Sequence, residues 1–255
     1  MYEPQSAPLS IAGVLDQGFK LLKASFGRVI GLSLFSAFAS SLPSAMLQFA
    51  VDPQNPSNTM IQIATILVLA GALISLPVYG AIICQLSAVT KNETLSIMGS
   101  LGIGVRRLIP FLLCGLMYAL ACAGGFVLLI VPGIILSLSL IFSVYLVFTD
   151  GLGPIASLKE SHRLVWGNWW RTATVATVAI LITFAAYMLP VLIAGLVSIP
   201  TGGEGAFWVL QAFLLPIVSG VVSPVAYALF MAQLQDLKLR KSGDDLSDRL
   251  DAVAV

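Results

Sequence analysis

The sequence predicts an all-α, polytopic integral membrane protein, with six transmembrane helices and amphipathic interfacial helices on the cytoplasmic side. Three observations predict it. First, apolar residues make up 58% of the 255 and charged residues only 10%, where a soluble domain carries about 25% charged residues. Mean hydropathy is +0.97. Second, the apolar residues fall into six runs, at about 29–50, 61–89, 108–128, 132–149, 172–197 and 206–234. A helical span needs roughly 20 such residues. Third, Lys and Arg are sorted by position. Lys20, Lys23 and Arg28 precede the first run, and Lys91, Arg106 and Arg107 lie between the second and third. Lys159, Arg163 and Arg171 lie between the fourth and fifth, and Lys238, Arg240, Lys241 and Arg249 follow the sixth. The alternate connections, around 51–60, 129–131 and 198–205, hold no Lys or Arg, only Asp52 and Glu204. Basic residues stay on the cytoplasmic side, so the threading is an even number of spans with both termini inside.

Residues 11–26 carry a helical stripe at Ile11, Val14, Leu15, Gly18/Phe19, Leu22 and Phe26, with Ser10 as N-cap. Asp16 and Lys20 form an i,i+4 pair. Leu and Phe on one face and Lys on the other describe a helix lying in the headgroup plane. Ala37-Phe38-Ala39 resembles a signal-cleavage site, but the apolar run continues to Ala50, which favours a retained span. The third and fourth runs form one stretch, 108–149, without a charge. A single helix of that length would be about 60 Å, so it must fold back. The turn is expected near 128–133, with Pro132 at the first position of the returning helix. A second interfacial helix is expected over 154–168, with Ile155, Leu158, His162, Val165 and Trp169 on its apolar side. A weaker copy reads Leu95, Met98, Leu101, Val105, loosened by Gly99, Gly102 and Gly104. Residues 1–235 therefore read as one six-helix domain. Residues 236–255 read as a charged cytoplasmic tail, helical at first and then disordered.

No constellation of side chains points to catalysis. There is one histidine, His162, and the cysteines Cys84, Cys114 and Cys122 lie in apolar runs without metal spacing. The cysteines read as small packing residues. Gly99–Gly104 lacks the Lys-Ser/Thr of a phosphate loop. No cofactor is implied. No long basic tract invites nucleic acid. Gln48, Gln62, Gln85 and Gln211 read as interhelical hydrogen-bonding groups.

Candidate interfacial and lipid-headgroup residues are Lys20, Lys23, Arg28, Arg106, Arg107, Lys159, Arg163 and Arg171, with Trp169 and Trp170 in the aromatic belt. Candidate helix kinks are Pro43, Pro77, Pro190, Pro216 and Pro224. The stripe Ser33, Ser36, Ala37, Ser40, Ser41, Ser44 and the spacings Gly115–Ala119 and Ala121–Gly125 permit close helix approach. They serve equally a tight bundle, a homo-oligomer or another membrane protein. The function expected is non-enzymatic, with a membrane-organising, lipid-associated or complex-stabilising role. The alternatives are a passive path for a lipid or small amphiphile along the proline-bearing spans, and a membrane subunit of an enzyme on another chain.

Pro132-Gly133-Ile134, then Asp150-Gly151, then Leu158, Ser161, Leu164, Gly167 and Trp169 at fixed spacing resemble YciC-type bacterial inner-membrane proteins. They are similar also to the membrane domain of membrane-anchored glycerophosphodiester phosphodiesterases. The start, Asp16/Phe19/Lys20 and then Phe26-Gly27-Arg28, resembles the same proteins. The resemblance implies a six-helix membrane fold and carries over no catalytic residue.

Overall fold

The computed structural model describes residues 2–50, 58–201 and 204–253, with side chains over 2–41, 59, 61–63, 65–189, 191–193, 196 and 213–243. The described residues form α1 (Ile11–Ala50), α2 (Asn58–Thr90), α3 (Ile97–Arg106), α4 (Leu108–Leu128), α5 (Ile130–Ser139), α6 (Ser143–Thr149), α7 (Pro154–Val165), α8 (Trp169–Thr201) and α9 (Glu204–Val253). The fold is all-α, and six of its helical segments are long and apolar enough to cross a membrane.

Four long helices make the frame. α1 packs on α2 and α9, and α8 packs on α9. Glycines set the closest approaches. A β-carbon on Gly18 would lie 2.7 Å from Leu229 Cδ2, and one on Gly220 would lie 2.6 Å from Leu34 Cδ2. The shorter helices pair among themselves and with the frame: α3 lies on α2, α6 pairs with α7, and α4 pairs with α5.

Burial divides each long helix in two. In α2, Ala81, Ile82, Ile83 and Leu86 are buried, while Ile63, Ile66 and Leu69 are exposed. In α8, Val175, Ala176 and Ala179 are buried, while Ile180, Leu181 and Phe184 are exposed. The buried half of α2 joins Leu21, Phe142, Leu146, Leu164, Met231 and Leu234 in one core, while Val175 of α8 packs with Val14 and Ala232 in a second, smaller cluster. The exposed halves present bare apolar surface of the kind that faces a membrane or another protein.

Several expectations change. Residues 11–26 are not a separate surface helix: α1 runs unbroken from Ile11 to Ala50, about 60 Å. A single Gly27 is tolerated inside a helix, and Ser25 Oγ donates back to the Leu21 carbonyl at 2.8 Å. Ser10 does cap the helix, accepting from Gly13 N–H at 3.1 Å, and Lys20 pairs with Asp16 at 2.7 Å. Phe19 and Phe26 are exposed, whereas Val14, Gly18, Leu21 and Ser25 are buried.

α4 spans 108–128 as expected, but the hairpin turns at one extended residue, Leu129 (φ −167°, ψ 156°), and Pro132 is third in α5. A proline in a first helical turn removes a donor that has no partner there anyway. Leu129 N–H donates to Gly125 O, and Gly133 N–H donates to Leu129 O. The glycines act by close packing rather than by breaking the helix, since a β-carbon on Gly125 would lie 2.9 Å from Gly133 Cα.

The fourth apolar run is not continuous. It breaks at residues 140–142 between α5 and α6. Ser161 Oγ on α7 bridges the break, accepting from Phe142 N–H at 3.1 Å and donating to Ser139 O at 2.9 Å. The helix expected over 154–168 is α7, and its buried face is Ser157, Ser161, Leu164 and Val165. Of the residues expected on its apolar side, Val165 is buried and Ile155 and His162 are exposed. In α3 the buried residues are Ser100 and Gly104, while Met98 and Val105 are exposed. In both helices small residues share the buried face, Ser100 and Gly104 in α3 and Ser157 and Ser161 in α7, which lets helices approach closely.

The three cysteines are free thiols, with Cys84 and Cys114 buried. Gln85 links helices as expected, donating to Leu95 O at 3.1 Å and Ser100 Oγ at 3.2 Å; Gln62 is exposed. The side chains of Ser44, Gln48, Asp52, Glu204 and Gln211 lie outside the described residues, as do those of Pro43 and Pro190. Pro77, Pro216 and Pro224 lie inside helices assigned as continuous. The tail expected to become disordered continues α9 as helix to Val253.

Candidate functional site

The end of the bundle that gathers the basic residues holds two features, a carboxylate lock and an apolar cleft. The lock centres on Asp236, which is fully buried. One carboxylate oxygen accepts from Leu9 N–H at 2.7 Å and Gln5 Nε2 at 2.9 Å. The other accepts from Arg171 Nε and Arg240 Nε, both at 2.8 Å. Both guanidiniums also donate to the Leu9 carbonyl. One carboxylate thus joins the N-terminal strand of chain, the start of α8 and the end of the apolar part of α9. Burying a charge is tolerable only when it is paired and hydrogen-bonded in this way. Tyr2, in the same N-terminal segment, packs on the core, and burial pushes its phenol pKa up against a smaller opposing hydrogen bond from Gln17.

Other basic residues at this end hold the α6–α7 connection. Lys238 pairs with Asp150 at 2.7 Å, and Arg107 Nη1 donates to Gly151 O at 2.5 Å. Gly151 has a left-handed backbone (φ +67°), a conformation glycine adopts without strain.

The sequence-predicted headgroup residues therefore fall into two groups. Arg107 and Arg171 are half-buried and engaged inside the protein. Lys20, Lys23, Arg28, Arg106, Lys159 and Arg163 are exposed. Lys20 keeps its pair with Asp16, and Arg163 grips Glu160 with two hydrogen bonds at 2.8 and 2.9 Å. Trp170 and Trp166 are exposed and Trp169 is half-buried. His162 lies on Trp166, ring centroids 5.1 Å apart.

Sequence reasoning missed Asp236, Gln5 and Leu9. The one local signal was the i,i+4 pair Asp236/Arg240 at the close of an apolar run. The partners 227 to 231 residues away leave no pattern in the sequence.

The cleft lies between α5 and the α7–α8 turn. It holds about 700 Å³, with Ile134 and Ile135 on one wall and Trp166, Trp169 and Trp170 on the other. A smaller chamber of about 150 Å³ lies between α1, α2 and α9, lined by Ser33, Ser36, Ser40, Tyr79, Ser223 and Tyr227. The serine stripe of the first span thus forms a hydroxyl-lined wall as well as a close helix contact.

This all-helical architecture, with six membrane-length apolar segments and bare apolar outer surfaces, defines a multi-pass membrane protein. The chain belongs to the family described as "Domain of unknown function (DUF7847)", which matches residues 77–235. It is 22% identical over 201 residues to a UPF0259 membrane protein of Pectobacterium carotovorum, covering 79% of this chain and 77% of that one. It is 25% identical over 138 residues to a UPF0259 membrane protein of Sodalis glossinidius, covering 54% of each chain. A third such protein, from Photorhabdus laumondii, is 27% identical over 132 residues, about half of each chain. No solved structure matches the chain.

Proposed function

We propose that this chain is a bacterial inner-membrane protein with both termini in the cytoplasm, and that its basic end works by association with anionic lipid headgroups, without catalysing a reaction. Its role is then to organise the membrane or to stabilise a complex within it. The observation that carries this reading is that all thirteen Lys and Arg fall on one side of the apolar runs, with six candidate headgroup residues exposed. Each basic residue near an anionic surface contributes about 1 kcal/mol. The resemblance of Pro132–Trp169 to YciC-type inner-membrane proteins supports the same location.

The threading has a direct check. In a variant with its three cysteines replaced by alanine, Gln54→Cys and Gly202→Cys should react with an impermeant maleimide added outside spheroplasts. Asn92→Cys and Ser242→Cys should react only after lysis. The reverse pattern would overturn the orientation. For the lipid role, changing Lys20, Lys23, Lys159 and Arg163 together to Gln should lower, about tenfold or more, the phosphatidylglycerol retained beyond the first molecule in native mass spectrometry. Equal retention by wild type and variant would remove the headgroup role from these residues.

A further inference from the structure

The cleft beside α5 has the features of a binding site that the headgroup residues do not use. Its volume of about 700 Å³ lies within the roughly 300–1,000 Å³ of small-molecule pockets. Its walls are aliphatic on one side and indole on the other. Two of its lining residues carry a buried polar atom without a hydrogen-bond partner among the described residues: the Ser139 hydroxyl and the Trp169 indole N–H. A buried donor left unpaired is costly, and the cost disappears when an acceptor reaches it. Plain hydrocarbon offers no acceptor. An acyl ester does.

The turn that forms the indole wall depends on Gly167, whose backbone is left-handed (φ +87°). It brings Trp166 and the Trp169–Trp170 pair to one mouth. Trp169 meets Trp170 edge-on at 4.6 Å, and Trp170 is 78% exposed. Trp169 is thus the inner indole of the mouth and Trp170 the outer one. Lys241 stands beside this turn, its Nζ 3.9 Å from where a Gly167 β-carbon would lie. On the far side the cleft runs out along Val131, which is 65% exposed on the apolar hairpin tip. One end of the cleft is thus cationic and the other opens onto bare apolar surface.

We propose that this cleft binds one anionic glycerophospholipid. An acyl chain lies between Ile134, Ile135 and the tryptophans, an ester carbonyl accepts from Trp169 Nε1 and Ser139 Oγ, and the phosphate meets Lys241. This rests on the lipid-associated reading above and gives it a specific site. The site is separate from the exposed Lys and Arg, so the two ideas can fail separately.

The test uses the full chain in mild detergent, offered equal phosphatidylglycerol and phosphatidylcholine and read by native mass spectrometry. Wild type should carry one phosphatidylglycerol. Ile135→Trp, which fills the cleft, should cut that retention at least tenfold. Lys241→Gln should still bind a lipid but lose the preference for phosphatidylglycerol. Leu69→Trp, on the exposed face of α2, should match wild type. Retention by Ile135→Trp equal to wild type would overturn the cleft while leaving the headgroup reading intact. A wild type with no stoichiometric lipid, together with no effect of the four-residue Gln variant, would remove both. Because Ile135→Trp can disturb the α4–α5 hairpin, the wild-type tryptophan fluorescence gives an independent measurement. Phosphatidylglycerol brominated on its acyl chains should quench saturably, and unbrominated phosphatidylglycerol, not phosphatidylcholine, should reverse it. Quenching that rises linearly without saturation, or that either lipid reverses equally, would overturn the site.

Discussion

Asp236→Asn should lower the midpoint of thermal unfolding in detergent by roughly 10 °C. The carboxylate is fully buried and holds four donors, two of them guanidiniums that are only 14% and 28% exposed. Asparagine keeps the shape but not the charge, and its amide N–H₂ would face a guanidinium donor where an acceptor is needed. Breaking a buried ion pair by removing one partner costs about 3–5 kcal/mol, because the other charge stays buried and uncompensated. At about 2–4 °C per kcal/mol for a chain of this size, that is a large shift. The same change should free residues 2–10, since the two guanidiniums that also donate to the Leu9 carbonyl lose the carboxylate that anchors them. Limited proteolysis should therefore cut the N-terminal segment faster. Replacing Arg240 by Gln in the same chain should recover part of the loss, because one uncompensated cation is then gone. A midpoint within about 2 °C of wild type, with unchanged proteolysis, would mean that Asp236 does not hold this end together.

The spans were legible because lipid demands long apolar helices, and the boundaries of α4 follow directly from Arg107 and Leu128. The faces of the shorter helices were not. The stripe of Ile155, Leu158 and His162 marks an apolar side, but a stripe does not say which face meets protein and which meets lipid. Here Ser157 and Ser161 turn inward and Ile155 outward, because lipid solvates the large apolar groups and small residues allow helices to approach. The break at 140–142 was also hidden. It contains no Gly or Pro, and the Ser161 hydroxyl that bridges it comes from another helix. The headgroup candidates could be found from charge alone. Charge alone could not separate Arg171, engaged with Asp236, from exposed Lys159, because the separating partner is 65 residues away. Nor could it reveal the cleft, which needs α5 and the α7–α8 turn brought together.

Two glycines in α3 should respond oppositely to the same substitution. Gly102 is exposed, and a β-carbon there would meet nothing within 4 Å. Gly102→Ala should therefore stabilise the protein by about 0.4–1 kcal/mol, since alanine restricts the unfolded chain more than glycine does. Gly104 is buried against α2, and a β-carbon would run into the Pro77 carbonyl, lying 3.0 Å from its carbon and closer still to its oxygen. The obstacle is backbone and cannot rotate away. α3 must shift off α2, and that shift also strains the Gln85 hydrogen bonds to Ser100 and Leu95 at the other end of the interface. Overpacking of this kind costs about 1–3 kcal/mol. In unfolding midpoints measured side by side in one detergent, Gly102→Ala should lie at or above wild type and Gly104→Ala clearly below it. Falls of equal size in both would show that α3 tolerates no alanine for reasons of its own helix. A Gly104→Ala midpoint at or above wild type would show that α3 is not seated on the Pro77 carbonyl, and the close α2–α3 contact would have to be abandoned.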